Sequence, residues 1–265
     1  MNNYEKLEGM VAATFTPLDE NGDVNLSVID KYADWIASTP IKGIFVCGTT
    51  GEFSSLTIDE RKLILEKWLV SARKRFKVIA HVGSNCQRSA MELARHAAQV
   101  GADAIASIAP SFFKPGTVDE LVDFFAPICH SAAGLPFYYY NMPSITGVNL
   151  PVDKFLVEGK KKIPNLVGTK FTHNNLMEMG VCIELEQHRF EVLHGYDEIL
   201  ISGLAMGAVA GVGSTYNYIP NVYQAIFDSM KMNDLETARH NQIKSIRTVA
   251  VSYTHLRAHE TELHL

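Results

Sequence analysis

Cysteine is scarce in this chain of 265 residues: Cys47, Cys86, Cys129 and Cys182 are scattered, with no CxxC pair among them. Neither a disulfide framework nor a zinc knuckle is signalled, and reduced thiols in a reducing compartment fit best. A basic surplus is missing too, because 24 Lys and Arg against 29 Asp and Glu leave a net charge of −5. With no broad cationic surface to neutralise phosphates, nucleic acid is not an expected partner. No uncharged apolar run reaches the roughly 18 residues of a membrane helix, and the opening MNNYEKLEGM has no basic-then-apolar leader pattern. The expectation is a cytoplasmic protein that makes no membrane contact. Glycine-rich nucleotide loops are also absent. The first apolar run leads into Thr14-Phe15-Thr16-Pro17-Leu18, no Walker-type loop occurs, and Gly207-Ala-Val-Ala-Gly211-Val-Gly213 does not satisfy GxGxxG.

What the sequence does have is alternation. Short apolar runs occur at Val11–Phe15, Gly43–Cys47, Lys77–His81, Ala104–Ile108, Pro136–Tyr140, Leu166–Thr169, Glu191–Leu193 and Ala208–Val212. Between them lie amphipathic stretches such as Ile58–Phe76, Arg88–Val100 and Val118–Ala132, the first with Leu63, Leu65, Trp68, Leu69 and Ala72 marking an apolar face. Strands that are apolar throughout are buried on both faces. Eight strand-then-helix units therefore predict a (β/α)8 TIM barrel over residues 1–232, in preference to an open doubly wound sheet, which would carry a dinucleotide fingerprint. Residues 233–250 read as the start of a C-terminal helical extension, truncated here. Residues 251–265 read as a non-native or disordered tail, in which His255, His259, Glu260 and His264 do not complete an HExxH site.

In such a barrel the chemistry sits where strands end and loops begin. Lys170 stands there among apolar neighbours, in Asn165-Leu-Val-Gly-Thr-Lys170-Phe. One reading is an amine deprived of hydration and hence able to attack a carbonyl. The other is a strand-end lysine whose stem packs while its charge reaches water. Tyr140 closes the run Tyr138-Tyr139-Tyr140, whose side chains must alternate, so that only the last lies at the expected rim, as a candidate proton relay. Gly48-Thr49-Thr50-Gly51-Glu52 supplies hydroxyls and backbone donors ahead of a helix capped by Thr57, suited to a carboxylate or simply an ordinary turn. Gly195-Tyr-Asp197-Glu198 places two carboxylates at a helix start; without a matching His or Asp cluster, hydroxyl recognition or helix-start chemistry is preferred to a metal.

Taken together, GTTGE at 48–52, YNMP at 140–143, VGTK ending at Lys170, GYDE at 195–198 and GSTYN at 213–217 resemble the class I pyruvate lyases related to dihydrodipicolinate synthase. Within that family they look most like the sialic acid aldolase branch, over roughly residues 7 to 245. The resemblance implies a Schiff base on Lys170, proton relay by Tyr140, and a pyruvyl carboxylate held by Thr49, Thr50 and Gly51. It implies sugar binding by Thr172, Gly195, Asp197, Glu198 and Ser214, without metal or cofactor, in a homotetramer where the helical extension is complete. Ile145 stands where the synthases carry an arginine for a second carboxylate, and Ser111-Phe112-Phe113-Lys114-Pro115 lacks their inter-subunit tyrosine. Both departures favour a sugar acid, N-acetylneuraminate first. Another 2-keto-3-deoxy sugar acid, or an inactive fragment of such an enzyme, stands as the alternative.

Overall fold

A computed structural model describes residues 5–132 and 134–262, with side-chain surroundings given as far as Val251. The elements run β1 (Gly9–Ala13), α1 (Ile29–Ala37), β2 (Gly43–Val46), α2 (Ile58–Ala72), β3 (Lys77–His81), α3 (Gln87–Val100), β4 (Ala104–Ile108), α4 (Val118–Ser131) and β5 (Phe137–Asn141). They continue with α5 (Pro143–Thr146), α6 (Val152–Lys162), β6 (Leu166–Phe171), α7 (Leu176–Glu184), β7 (Glu191–His194), α8 (Leu200–Ala205), β8 (Ala210–Gly213), α9 (Pro220–Lys231) and α10 (Leu235–Glu262). The eight strands pair in parallel and in sequence order, and β8 closes onto β1 to complete the expected barrel.

Strand alternation divides the apolar residues into two cores. Val11, Phe45, Ile79, Ala106, Tyr138, Tyr140, Leu193 and Val212 fill the barrel interior. Ile44, Val78, Ile105, Phe137, Tyr139 and Val192 face outward against the helices. Both faces are dry, which is why the strands read as continuous apolar runs. At the floor, the buried Glu191 carboxylate accepts hydrogen bonds from the Leu7 amide at 3.0 Å and the Tyr138 hydroxyl at 2.9 Å. Burial raises the pKa of this carboxyl. The chemistry is left to the opposite end.

Thr57 caps α2 as expected: its hydroxyl accepts from the Glu60 amide at 3.2 Å, and the Glu60 carboxylate accepts from the Thr57 amide at 2.7 Å. The expected face of α2 needs correction. Leu63 is 50% exposed, and it is Arg61, Ile64, Leu65, Trp68 and Ala72 that face inward. Their spacing of three, four and seven residues makes one stripe, and Leu63 falls outside it. Strand boundaries also move. β1 starts and ends two residues earlier than its apolar run, and β8 starts two later, because Gly207 turns at φ +100° and the Ala208 amide is still bonded to Gly203 O.

Helix α10 lays Ala238, Gln242 and Ser245 against the barrel. Its backbone is helical to Glu262, but from residue 252 its side chains lie outside those described. The tail expected over 251–265, with its histidines, therefore falls almost entirely outside them. Among the described residues no helix is long and apolar enough to cross a membrane.

Candidate active site

Residues at the C-terminal ends of β2, β5, β6, β7 and β8 build the site. In the parallel register Tyr140 on β5 pairs with Lys170 on β6. Both therefore point into the barrel at one level. Lys170 is only 4% exposed, and its Nζ lies 4.0 Å from the Tyr140 ring centroid and 4.4 Å from that of Phe45. Two aromatic faces thus take the place of water around the amine, with no acidic partner among the described residues. A lysine whose charge reaches water is not what is found. Of the three tyrosines only Tyr140 reaches the rim, as alternation requires. Tyr138 lies at the floor and Tyr139 packs outward on Phe155 at 4.6 Å.

The Tyr140 hydroxyl lies 3.2 Å from Thr49 Oγ1 and donates to Met142 Sδ at 3.1 Å. Thr49 is exposed, Thr50 half-buried and Gly51 buried. Among the described residues the amides of Thr49, Thr50 and Gly51 donate to nothing, while the turn closes through Glu52 N to Thr49 O at 3.0 Å and Phe53 N to Gly48 O at 3.3 Å. The turn thus carries three N–H groups without a bonded partner among the described residues, and no cationic side chain. Gly51 is needed for tightness, since a Cβ there would meet Thr14 O at 3.0 Å and Cys47 Cα at 3.2 Å. Cys47 and Glu52 flank the turn in the left-handed region, each at φ 54°.

The next ring outward comes from β6, β7 and β8. The Thr172 amide donates to Asn141 O and the Gly195 amide to Phe171 O, both at 2.8 Å, so the ladder continues past the named strands and sets these residues side by side. Thr172 Oγ1 is buried without a partner among the described residues, and a Cβ on Gly195 would come within 1.9 Å of it. Asp197 is buried, with its carboxylate accepting from the Thr215 amide at 2.8 Å and from the Thr215 hydroxyl. Gln242 of α10 donates to the Asp197 carbonyl at 3.1 Å. The helix start expected at 195–198 is a short 3-10 turn, Asp197–Ile199, leading into α8. Glu198 beside it is half-buried. Burial, with added repulsion from Asp197, pushes its carboxyl up to about 7. Ser214, also half-buried, precedes Thr215, and its carbonyl accepts from Asn217 Nδ2 at 2.7 Å.

Thr49 and Tyr140 are thus bonded neighbours, Lys170 lies against Tyr140, and Thr172, Gly195, Asp197 and Ser214 follow around the same rim. Sequence reasoning passed over Thr215, His81 and Arg61. Thr215 hid inside the GSTYN motif. His81 hid at the end of an apolar strand, where the signal was a polar residue two positions after the inward-facing Ile79. Arg61 gave no signal, because arginine on a helix is ordinarily exposed.

The fold and the site define the class: a (β/α)8-barrel enzyme with an enclosed amine at the mouth. The chain belongs to the Dihydrodipicolinate synthetase family, whose model matches residues 6–255. It is 42% identical over 248 residues to N-acetylneuraminate lyase of Mus musculus, covering 92% of this chain and 78% of that protein. It is 44% identical over 245 residues to N-acetylneuraminate lyase of Gallus gallus, covering 91% and 80%. Among solved structures, the N-acetylneuraminate lyase of Aliivibrio salmonicida superposes with a TM-score of 0.92 at 38% identity, covering 94% of this chain and 83% of that one.

Proposed function

We propose that the chain is a Schiff-base aldolase that cleaves N-acetylneuraminate to N-acetylmannosamine and pyruvate. The observation that carries this is the enclosure of Lys170 Nζ between the rings of Phe45 and Tyr140, with the Tyr140 hydroxyl 3.2 Å from Thr49 Oγ1. In this reading Thr49, Thr50 and Gly51 hold the keto acid's carboxylate. The neutral Lys170 amine adds to the ketone carbon, one proton is taken up from solvent and water leaves, giving a protonated imine; hydrolysis at the end of the cycle returns that proton. Electrons of the C3–C4 bond flow into that imine as the C4 hydroxyl gives up its proton through Tyr140, releasing the aldehyde sugar and leaving an enamine. Protonation at C3 and hydrolysis of the imine return pyruvate and the free amine, so the cycle balances without a redox partner. Thr172, Gly195, Asp197, Glu198 and Ser214 contact the polyol, whose hydroxyls suit carboxylate and hydroxyl partners.

The reading includes a homotetramer in the cytoplasm. Support for assembly comes from the adjacent Phe112 and Phe113, which are 77% and 88% exposed. Ile145, 59% exposed on α5, offers no charge for a second substrate carboxylate, which supports a sugar acid over a dicarboxylate. The test compares cleavage of N-acetylneuraminate with that of 2-keto-3-deoxygluconate. A higher kcat/KM for the first is expected, and preference for the second overturns the choice of sugar.

A further inference from the structure

His81 ends β3 inside the barrel, and the chemistry above makes no use of it. It is 3% exposed, stacked on Phe45 at 5.8 Å, and edge-on to Phe53 at 4.6 Å and to Tyr140 at 5.8 Å. Phe45 and Tyr140 are the two rings that enclose the Lys170 amine. His81 Nδ1 lies 2.7 Å from the Cys47 carbonyl oxygen. A carbonyl only accepts, so Nδ1 carries the proton. Nε2 is buried without a partner among the described residues, packed so closely under Gly83 that a Cβ there would come within 2.6 Å of it. A second proton at Nε2 would have no acceptor, and the ring is neutral. Burial and the nearby cations Arg61 and Lys170 push its pKa the same way.

Arg61 holds this histidine from behind. Its guanidinium, buried on α2, donates to the His81 carbonyl at 2.7 Å and to the Gly83 carbonyl at 2.9 Å. Desolvation lowers its pKa to about 10. Helix α2 is thus tied to the end of β3, and the end of β3 is tied through Nδ1 to Cys47. Cys47 is a residue that needs holding. It sits at φ 54°, a region that costs a side-chain-bearing residue energy, and it sets the direction in which Gly48, Thr49, Thr50 and Gly51 leave β2. Gly48 leaves no room for a side chain, because a Cβ there would approach the Phe45 ring within 2.8 Å.

We propose that His81, held by Arg61, is a positioning residue whose Nδ1–H donation to Cys47 O fixes the Cys47–Gly51 turn in the conformation that aims its free amides at a keto acid's carboxylate. The role is not catalytic, since His81 touches the reacting atoms only through Cys47 and the Phe45 and Tyr140 rings. The inference rests on the reading of that turn as the carboxylate seat.

The test uses the whole chain and pyruvate. Imine trapping by borohydride is followed as a function of pyruvate concentration in the wild type, His81→Asn and His81→Gln. Asparagine places an amide donor near the position of Nδ1, whereas glutamine places it near that of Nε2, out of reach of Cys47 O. The expected result is a half-saturating pyruvate concentration raised about tenfold or more in His81→Gln, within about threefold of wild type in His81→Asn, and an unchanged limiting trapping rate in both. A purely structural role for the ring would lower the amount of active enzyme without moving half-saturation. Equal half-saturation in wild type and His81→Gln overturns the proposal, as does an equal rise in both variants. If His81→Gln does not fold, as judged by near-ultraviolet circular dichroism, His81→Asn carries the test: wild-type half-saturation supports the proposal and a tenfold rise overturns it. Absence of any trappable imine in the wild type would instead overturn the Schiff-base reading on which the carboxylate seat depends.

Discussion

Tyr140 and Lys170 occupy the same rung of the barrel, paired in register across β5 and β6, with Lys170 Nζ 4.0 Å from the centre of the phenol ring. Parallel pairing makes this obligatory. Side chains at one register level of adjacent strands leave the sheet on the same face, so a strand that turns Tyr138 and Tyr140 inward brings the tyrosine over whatever β6 turns inward beside it. A one-residue slip of either strand would send one of the two groups outward into the helix layer.

Replacing Tyr140 by phenylalanine keeps the ring that encloses the amine and removes only the hydroxyl that lies beside Thr49. Turnover of N-acetylneuraminate is expected to fall by about 10²–10⁴-fold, the usual weight of a positioned proton donor or acceptor. Borohydride trapping with pyruvate is expected to persist. Steady-state kinetics and trapping on the same sample check this, and undiminished kcat would exclude the phenol as the proton relay.

Much of this architecture was legible because the strands are buried on both faces. β3 (Lys77–His81) and β4 (Ala104–Ile108) match their apolar runs at both ends, and the Thr57 cap was readable from Thr57 and Glu60 three residues apart. Lys170 and Tyr140 stood out as polar residues at the ends of apolar runs. What stayed hidden depends on long-range partners. Arg61 is buried because the carbonyls of His81 and Gly83 satisfy it, 20 and 22 residues away. Asp197 is engaged by Thr215 rather than left to a helix terminus, a pairing 18 residues apart that no local pattern encodes. The Leu63 error arose from treating all leucines on an amphipathic stretch as inward-facing, where only the stripe through Ile64 and Trp68 is.

Gly195→Ala tests the outer ring. The added methyl would come within 1.9 Å of Thr172 Oγ1 and 2.8 Å of Thr172 Cα, so backbone must shift where β6 and β7 run side by side at the rim. Overpacking of this kind costs about 1–3 kcal/mol, and the melting temperature is expected to fall accordingly. KM for the sugar acid is expected to rise while pyruvate trapping is unchanged. An unaltered KM would show that the sugar binds elsewhere on the rim.

Glu198 gives a prediction with a definite sign. Burial, and next to it the charge of Asp197, raises its carboxyl to about 7, so between the usual carboxylate range and pH 7 the folded chain keeps a proton that the unfolded chain has released. Stability contributed by this group is therefore present at low pH and declines as pH rises through that window. Thermal melts between pH 5 and pH 8 should show a shallower decline for Glu198→Gln than for wild type. Identical slopes would mean that the folded state does not retain this proton.

The most direct test of the account is mass spectrometry of the chain after borohydride reduction in the presence of pyruvate. A single reduced pyruvyl adduct on the peptide containing Lys170, absent in Lys170→Ala, is the expected result. An adduct on another lysine, or one of undiminished yield in Lys170→Ala, would contradict it.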